Sequence, residues 1–259
     1  QSSSRKISSC TSRIKKIKMN DINRYIDGEY SKKNHSYHTE DSNFKWNNFI
    51  KILNSTNFEF GKINSITDIG CGIGKILDEA KKSNLFNDKC KFIGYDINPD
   101  AIELAKKNFK EIIFSNEDFI NLDKNESDLI IAADVFEHIE DSHNFLRKLK
   151  NKGNFFLFNI PLEISLLSMI RSKNIFQHSH EKVGHLHFYT KKTAILLLES
   201  CGYKIVECIF ANNRLQEFRN KKELRKFVIG FPQYLLGLLS KDLASNSCGG
   251  FSLVVLAKK

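Results

Sequence analysis

The feature that most constrains this chain is a short glycine-rich turn between a predicted strand and a predicted helix. Residues 65–69 form a β-rich run that continues directly into Gly70, Gly72 and Gly74, after which a helical pattern begins. Glycine lets the backbone turn sharply and approach a ligand with no Cβ in the way, and the helix N-terminus offers unpaired N–H groups. The turn therefore predicts a site for a nucleotide-like cofactor.

The spacing of the glycines distinguishes two kinds of cofactor. The dinucleotide fingerprint has the spacing GxGxxG, whereas the spacing here is GxGxG, and Lys75 stands where the third glycine of that fingerprint would fall. An acid, Asp68, also stands two residues before the first glycine. These features favour a cofactor with a charged amino-acid end over a pyrophosphate, and they leave an NAD(P)-dependent oxidoreductase as the alternative.

Beyond this turn, short β-rich runs alternate with helical stretches, which is typical of parallel βαβ units. The predicted strands are residues 65–69, 91–96, 111–115, 128–134, 154–159, 203–210 and 251–257. The predicted helices are residues 47–53, 74–83, 99–108, 142–150 and 190–200. The alternation predicts an α/β fold in which helices cross over a sheet.

Three further segments complete the expected organisation. Residues 1–18 are rich in Ser, Lys and Arg and are expected to form a flexible basic leader, with a targeting peptide or a polyanion-binding arm as alternatives. Residues 19–62 are expected to form an N-terminal helical lid before the main domain at residues 63–259. Within that domain, the apolar content of residues 211–250 predicts a helical insertion. This insertion could cover a small acceptor, form a dimer surface or contact a membrane surface.

Two further acids follow the next two predicted strands. Asp96 ends the second strand, about twenty residues after the turn, where a carboxylate can accept hydrogen bonds from both vicinal hydroxyls of a ribose. Asp118 follows the third strand and is placed to bind an adenine amino group, with Phe119 and Ile97 as apolar walls. Any one of these acids could instead cap a helix or lie in a solvated turn. Acids at three successive strand ends nevertheless indicate a single nucleoside site.

Taken together, these motifs resemble those of the class I S-adenosylmethionine-dependent methyltransferases. The DIGCGIG run at residues 68–74 is similar to the first motif of that family. The GYDINPDAIELAKKN run at residues 94–108 is similar to its ribose-binding segment, and NEDF at residues 116–119 to its adenine-binding segment. The exit of the fourth strand, residues 128–141, is similar to its EH motif, and the resemblance extends over about residues 34–259.

The resemblance implies a Rossmann-like, seven-stranded, mostly parallel sheet with an antiparallel last strand and helices on both faces. The implied cofactor is S-adenosyl-L-methionine, bound across the carboxyl ends of the strands. The expected cofactor-binding residues are Asp68, Gly70, Cys71, Gly72, Gly74, Asp96, Ile97, Asp118, Phe119, Asp134 and His38.

The segment before the predicted helix at residues 47–53 mixes aromatic residues, histidines and acids. In relatives the corresponding region folds over the cofactor, so Tyr37, His38 and Trp46 are expected to close the site. The alternative is that Phe44 and Trp46 only pack the helix against the sheet.

Candidates for catalysis follow from the chemistry that the resemblance implies. A methyl group on a sulfonium is already electrophilic, so a base is needed only where the acceptor must lose a proton. Glu137 and His138, after the fourth strand, are candidates for that base. His185 and His187 are further candidates, because GHLHFYT at residues 184–190 is similar to a GHxxFYT segment in the small-molecule branch of the family.

The histidine-rich run at residues 178–187 has two other interpretations. Its four histidines and Glu181 could bind a metal, but their spacings match no standard zinc pattern, so no metal site is predicted. Some of these histidines could instead only form hydrogen bonds within a loop.

The charge and the residues after the fourth strand indicate which kinds of acceptor to expect. The net charge is +10, but six Lys and Arg residues precede the first acid, Asp21, and the remaining +4 is ordinary. The chain has Asp134-Val-Phe-Glu137 where an enzyme that methylates nucleic-acid bases is expected to have an Asn/Asp-Pro-Pro-aromatic tetrad. Phosphate binding by the basic run at residues 214–226 is the minority interpretation. A small-molecule, glycan or lipid-like acceptor is therefore expected, with O-methylation ahead of N-methylation and a non-catalytic cofactor-binding module as another alternative.

The cysteines and the apolar runs bear on the compartment. The six cysteines form no CxxC pair, which favours a reduced, cytoplasmic environment. No apolar run approaches the length of a membrane span, so no transmembrane segment is expected.

Overall fold

The structure, a computed structural model, describes residues 41–123, 126–170, 175–213 and 224–259, and in the last range it describes side chains from Gly230 onward. Tyr37, His38 and the expected leader lie outside these residues, as do the side chains of the basic run between residues 214 and 226.

In the described part of the chain, seven strands form one mixed sheet, as the sequence predicts. The strands are β1 (Ser65–Ile69), β2 (Lys91–Tyr95), β3 (Ile113–Ser115), β4 (Ser127–Ala133), β5 (Gly153–Leu162), β6 (Lys204–Asn212) and β7 (Phe251–Lys258). Their order is β3-β2-β1-β4-β5-β7-β6, and β7 runs antiparallel to both of its neighbours. The predicted Rossmann-like sheet with an antiparallel last strand is confirmed.

Helices follow or precede most of these strands. They are α1 (Ser42–Ser55), α2 (Lys75–Lys82), α3 (Pro99–Asn108), α4 (Ser142–Lys150), α5 (Leu166–Ile170), α6 (Ile175–Val183), α7 (Lys191–Ser200), α8 (Leu224–Leu239) and α9 (Lys241–Cys248). None of these helices is long and apolar enough to cross a membrane.

Local sequence signals set the helix boundaries. The Asn98 side chain accepts hydrogen bonds from the first N–H groups of α3, and Pro99 occupies a first-turn position that needs no donor. Asp141 caps α4 in the same way, and Thr190 forms a capping box with Thr193 at the start of α7. The predicted bounds of α3 and α4 are therefore confirmed.

The alternation of side chains along the strands gives the sheet two buried faces. In β4, Leu129 and Ile131 belong to one apolar cluster, whereas Ile130 and Ala132 belong to the other. The first cluster receives residues from α1, α2 and α3, and the second receives residues from α4 and α7. Because successive residues of a strand point to opposite faces, helices cover both sides of the sheet.

The strand order places the site. The chain builds β1, β2 and β3 outward and then returns to place β4 on the other side of β1. In open parallel sheets, ligands bind at the carboxyl ends of the strands, where the order reverses in this way. The glycine-rich turn leaves the carboxyl end of β1, beside this reversal.

Two parts of the fold were not predicted. Helices α5 and α6 lie between β5 and α7, where the sequence shows no regular pattern. Helix α5 has only five residues, and α6 contains no buried residue, so neither leaves an apolar periodicity. The predicted insertion is helical in its described part, where α8 and α9 precede β7.

Candidate active site

The glycine-rich turn is tied to the end of the neighbouring strand. The N–H groups of Gly70 and Cys71 donate to the Tyr95 carbonyl oxygen at 2.8 and 3.0 Å. The Cys71 side chain is buried, and burial raises the pKa of its thiol well above the ordinary value. The turn is thus fixed relative to the carboxyl end of β2.

Two of the glycines are required for different reasons. Gly72 has a φ of +53°, and a Cβ placed on it would meet no protein atom within 4 Å. Gly74 has a φ of +82°, and a Cβ there would lie 2.4 Å from the Phe114 ring. Gly74 therefore lets α2 begin close to β3, whereas Gly72 presents bare backbone to open space. That open space is where a bound cofactor would approach the backbone.

Asp96 points back toward this turn. One carboxylate oxygen accepts a hydrogen bond from the Gly72 N–H at 2.8 Å, and the other accepts one from the Asn98 N–H at 2.9 Å. Burial raises the pKa of Asp96, and these two hydrogen bonds oppose that shift. A carboxylate has about four lone-pair sites, so both oxygens keep capacity for a ligand.

Asp68 is a buried carboxylate that has no hydrogen-bond donor in the described part of the chain. Its side chain is 1% exposed, and neither oxygen has a hydrogen-bond partner among the described residues. Burial, together with the nearby Asp96 charge, raises the pKa of Asp68 to about 8. Because an unsatisfied buried carboxylate is costly, a cationic ligand group would be strongly favoured here.

The residues expected around adenine are less uniform. Ile97 is 39% exposed beside Asp96. The exposed Asp118 accepts hydrogen bonds from the Ile120 N–H and the Asn121 side-chain amide, at 3.1 and 2.7 Å, so it caps the short turn that follows. Phe119 is buried against Tyr95, with ring centroids 4.8 Å apart. Asp118 thus caps a short helical turn, which was the alternative considered for each of the three acids. Its contact with the adenine amino group stays a prediction.

Asp134 follows β4 in a strained conformation. Its φ is +57°, in the left-handed region that is unfavourable for a residue other than glycine. Its N–H donates to the Asn159 carbonyl oxygen at 2.9 Å, and the Asn159 side-chain amide donates to its carboxylate at 2.6 Å. The Lys45 ammonium lies 2.6 Å from its other carboxylate oxygen. Such strain persists where the surrounding contacts over-determine it, and it is frequent at functional sites.

Lys45 is a site residue that the sequence analysis missed. Burial opposes ionisation of Asp134, but the pKa of that carboxyl is lowered because Lys45 and the Asn159 amide stabilise the charged form. Burial lowers the pKa of the Lys45 ammonium, but the charge and the hydrogen bond of Asp134 together have the larger effect, so the pKa of Lys45 is raised. A usable signal was present, because Lys45 shares its helix face with the buried Phe49 and Ile52. Lys45 brings α1 to the carboxyl ends of the strands.

Trp46 does not close the site in the way expected of a lid residue. It is 2% exposed and packs in the core against Phe49 and Phe86, with ring centroids 6.5 and 6.3 Å apart. The packing alternative therefore describes this side chain.

Three of the four candidate catalytic residues lie together. One carboxylate atom of Glu137 and one ring nitrogen each of His138 and His185 lie within 4.8 Å of one another. The rings of His138 and His185 meet edge to face, with centroids 4.7 Å apart. We call these three residues the EHH cluster.

Backbone contacts hold the EHH cluster in place. The N–H groups of Leu186 and His187 donate to the Glu137 carbonyl oxygen at 2.8 and 3.1 Å, which ties the loop before α7 to the end of β4. The His187 ring lies elsewhere, with Nε2 2.9 Å from the Ile139 carbonyl oxygen. The structure therefore gives His187 the role of a loop contact, and its catalytic assignment stays a prediction.

The EHH cluster is strongly desolvated. Glu137 is fully buried, and neither of its carboxylate oxygens has a hydrogen-bond partner among the described residues. Burial raises the pKa of Glu137 well above its ordinary value and lowers the pKa of His138 to about 4. His138 is therefore neutral at physiological pH. A second missed residue, Glu163, accepts a hydrogen bond from His185 Nδ1 at 2.7 Å.

Residues 62–223, more than half of the chain, match the family model described as a methyltransferase domain. The chain belongs to this methyltransferase family. Its sheet order and antiparallel last strand make it a class I, Rossmann-like methyltransferase domain.

Solved structures share the fold of this methyltransferase domain. The magnesium protoporphyrin IX methyltransferase of Synechocystis PCC 6803, solved with bound SAH, is 12% identical, with a TM-score of 0.54 over 84% of this chain and 83% of that chain. Phosphoethanolamine N-methyltransferase 2 of Haemonchus contortus, solved with S-adenosyl-L-methionine, is 17% identical, with a TM-score of 0.57 over 83% of this chain and 52% of that chain. At these identities, the likeness concerns the fold alone.

A relative found by sequence similarity is described as a helicase rather than a methyltransferase, and it is much longer than this chain. An uncharacterized ATP-dependent helicase of Mycoplasma genitalium is 24% identical over 188 residues, which cover 69% of this chain and 18% of that protein. The chain thus spans less than a fifth of that relative's length.

Proposed function

We propose that this methyltransferase domain binds S-adenosyl-L-methionine at the turn after β1 and methylates a small-molecule, glycan or lipid-like acceptor, with oxygen as the favoured acceptor atom. The observation that carries the proposal is the convergence at the carboxyl ends of β1 and β2. There the bare backbone of Gly72 meets the Asp96 carboxylate, and Asp68 is buried with no donor among the described residues.

The residues present fit this cofactor group by group. Asp96 would accept hydrogen bonds from the ribose hydroxyls with the lone pairs that its two backbone donors leave. Asp68 would meet the ammonium of the amino-acid end, directly or through water, since it is buried beside the turn and no described residue donates to its carboxylate. Ile97 and Phe119 would flank the adenine, with Asp118 at its edge. When bound, S-adenosyl-L-methionine supplies an electrophilic methyl group.

The acceptor side of the site would lie beyond β4. Asp134 and Lys45 form a fixed ion pair there, and Glu137 and His138 of the EHH cluster follow Asp134 within about one turn of chain. For a hydroxyl acceptor, this desolvated cluster is where a proton would be held or removed. Its histidines favour an oxygen acceptor, because an amine that is already deprotonated needs no such group.

Two assays test the proposal. Calorimetry with S-adenosyl-L-methionine should show saturable binding, and NAD should not compete with it. The chain and S-adenosyl-L-methionine should then be incubated with pairs of acceptor compounds in which one member carries a hydroxyl group and the other an amino group at the same position. Release of S-adenosylhomocysteine is the readout. NAD binding in place of S-adenosyl-L-methionine would support the oxidoreductase alternative. Cofactor binding without turnover of any acceptor pair would support the non-catalytic module.

A further inference from the structure

Two features of the EHH cluster have no explanation in cofactor binding. Glu137 is fully buried, and neither of its carboxylate oxygens accepts a hydrogen bond from another described residue. The two imidazoles beside it, from His138 and His185, come from distant segments of the chain, the end of β4 and the loop before α7. An arrangement that brings a buried, unsatisfied carboxylate and two imidazoles to one point needs a ligand or a strong structural reason.

We propose that Glu137, His138 and His185 bind a divalent transition-metal ion. Two imidazoles and one carboxylate form a donor set that suits Zn²⁺, Fe²⁺ or Co²⁺, and it leaves coordination positions open for another ligand. An ion would satisfy the buried carboxylate, which the described residues leave without a donor. The sequence alone predicts no metal here, because the three ligands belong to two distant segments and match no zinc spacing.

The surroundings of the EHH cluster have the features of a metal site. His185 Nδ1 lies 2.7 Å from Glu163 Oε2, which is the carboxylate–histidine pair that orients many metal-binding imidazoles. His138 Nδ1 lies 3.2 Å from the Gly184 carbonyl oxygen. These acceptors favour the tautomer with hydrogen on Nδ1 in both rings, so that Nε2 carries the lone pair for an ion.

The charge balance around the EHH cluster also favours a cation. Asp134 and Glu163 lie near Glu137, and the ammonium that faces them, Lys45, is already paired with Asp134. The ligand atoms lie within 4.8 Å of one another, whereas tetrahedral ligands about 2.1 Å from an ion are about 3.4 Å apart. Binding would therefore draw the three side chains inward by about an ångström, a shift within the reach of side-chain rotation.

In the proposed reaction, such an ion would hold the acceptor. The open coordination positions would take an acceptor oxygen and lower the pKa of its hydroxyl, which is a recognised role of bound divalent ions. The hydroxyl proton would then pass to solvent, because the ion occupies the lone pairs of the three ligands. This part of the inference rests on the proposed function and narrows the acceptor to an oxygen compound that can ligate a metal. Metal binding itself does not depend on methyl transfer.

The test is a titration of the metal-free, purified chain with Co²⁺, followed by its visible absorption and by calorimetry. The chain should bind one ion with a saturable absorption band, and Zn²⁺ should displace it. Glu137→Gln, which keeps the shape but not the charge, and His185→Gln should each weaken binding at least about a hundredfold, because the first replaces an anionic ligand with a neutral amide and the second removes an imidazole ligand. The control is His143→Gln, because this exposed histidine on α4 lies outside the cluster; it should bind as the unaltered chain does.

A second variant keeps the test decisive if a ligand variant does not fold. Glu163→Gln removes only the carboxylate behind His185 and should weaken Co²⁺ binding by about 10- to 100-fold. The metal site would be overturned if the unaltered chain showed no saturable Co²⁺ binding, or if folded Glu137→Gln and His185→Gln bound Co²⁺ with unchanged affinity. Calorimetry with S-adenosyl-L-methionine on the same metal-free sample tests the proposed function separately, so that either proposal can fail alone.

Discussion

The replacement of Asp96 by asparagine is the sharpest perturbation of the proposed cofactor site. Asp96 accepts the Gly72 and Asn98 N–H groups at 2.8 and 2.9 Å, and both ribose hydroxyls would need its remaining lone pairs. The introduced amide would keep one acceptor oxygen, lose the charge and turn a donor toward the other partner. The change therefore removes at least one charge-assisted hydrogen bond to the cofactor.

The expected magnitude follows from that lost bond. A hydrogen bond to a charged group contributes about 1.5–3 kcal/mol, and a factor of ten in affinity is about 1.4 kcal/mol, so affinity should fall about tenfold to about 150-fold. The unfolding free energy should fall by only about 1 kcal/mol, because one backbone N–H loses its partner. The loss in affinity should thus exceed the loss in stability.

Calorimetry with S-adenosylhomocysteine measures the affinity, and urea denaturation measures the stability. The matched control is Asp100→Asn, in the first turn of α3, because this exposed acid lies close in sequence but is not directed at the turn by any described side-chain contact. Its affinity should equal that of the unaltered chain. Equal affinity for Asp96→Asn and Asp100→Asn, with both variants folded, would refute the ribose assignment.

Three other predictions concern the framework of the site. Gly74→Ala places a Cβ 2.4 Å from an aromatic ring at a φ of +82° and should lower the unfolding free energy by about 2–4 kcal/mol. Gly72→Ala places a Cβ with no protein atom within 4 Å, so it should lower the unfolding free energy by only about 1–2 kcal/mol and mainly reduce cofactor affinity. Equal stability losses in urea titrations would contradict this division. Asp68, with a pKa of about 8 when folded against about 3.9 when unfolded, binds more protons in the folded chain between those values. Stability should therefore fall as pH rises through that window, and Asp68→Asn should flatten the fall in urea titrations at about pH 5 and about pH 8. Lys45→Met leaves Asp134 without its cation and should lower the unfolding free energy by about 1–3 kcal/mol, less than for a fully buried pair because this pair is partly exposed. A loss near zero would show that the pair does not fix α1.

Much of the fold was predictable because local signals agree with the sheet. The proline and aspartate at the start of α3, and the aspartate before α4, mark both helices within the sequence itself. The glycine spacing identifies the turn because glycine readily adopts its left-handed backbone. Helices α5 and α6 were not predictable, since α5 is short and α6 has no buried residue to leave an apolar period.

The cofactor side of the site was predictable because its residues stand at the ends of neighbouring strands. Asp68 lies near the end of β1, Gly72 follows that strand and Asp96 follows β2, and the sheet brings them together. Glu163 reaches the site through long-range packing that no spacing in the sequence indicates, and Lys45 is indicated only by its place on the buried face of α1. The same reason explains why a metal set made from the end of β4 and the loop before α7 has no recognisable sequence pattern.

The central claim is that the turn after β1 and the acids beside it hold one adenosyl group. A crystal structure of the chain grown with S-adenosylhomocysteine tests it most directly. The account predicts the ribose hydroxyls within hydrogen-bond distance of Asp96, the ammonium close to Asp68 and the sulfur facing the EHH cluster. A ligand bound away from the turn, or Asp96 turned into solvent with the ligand present, would contradict it.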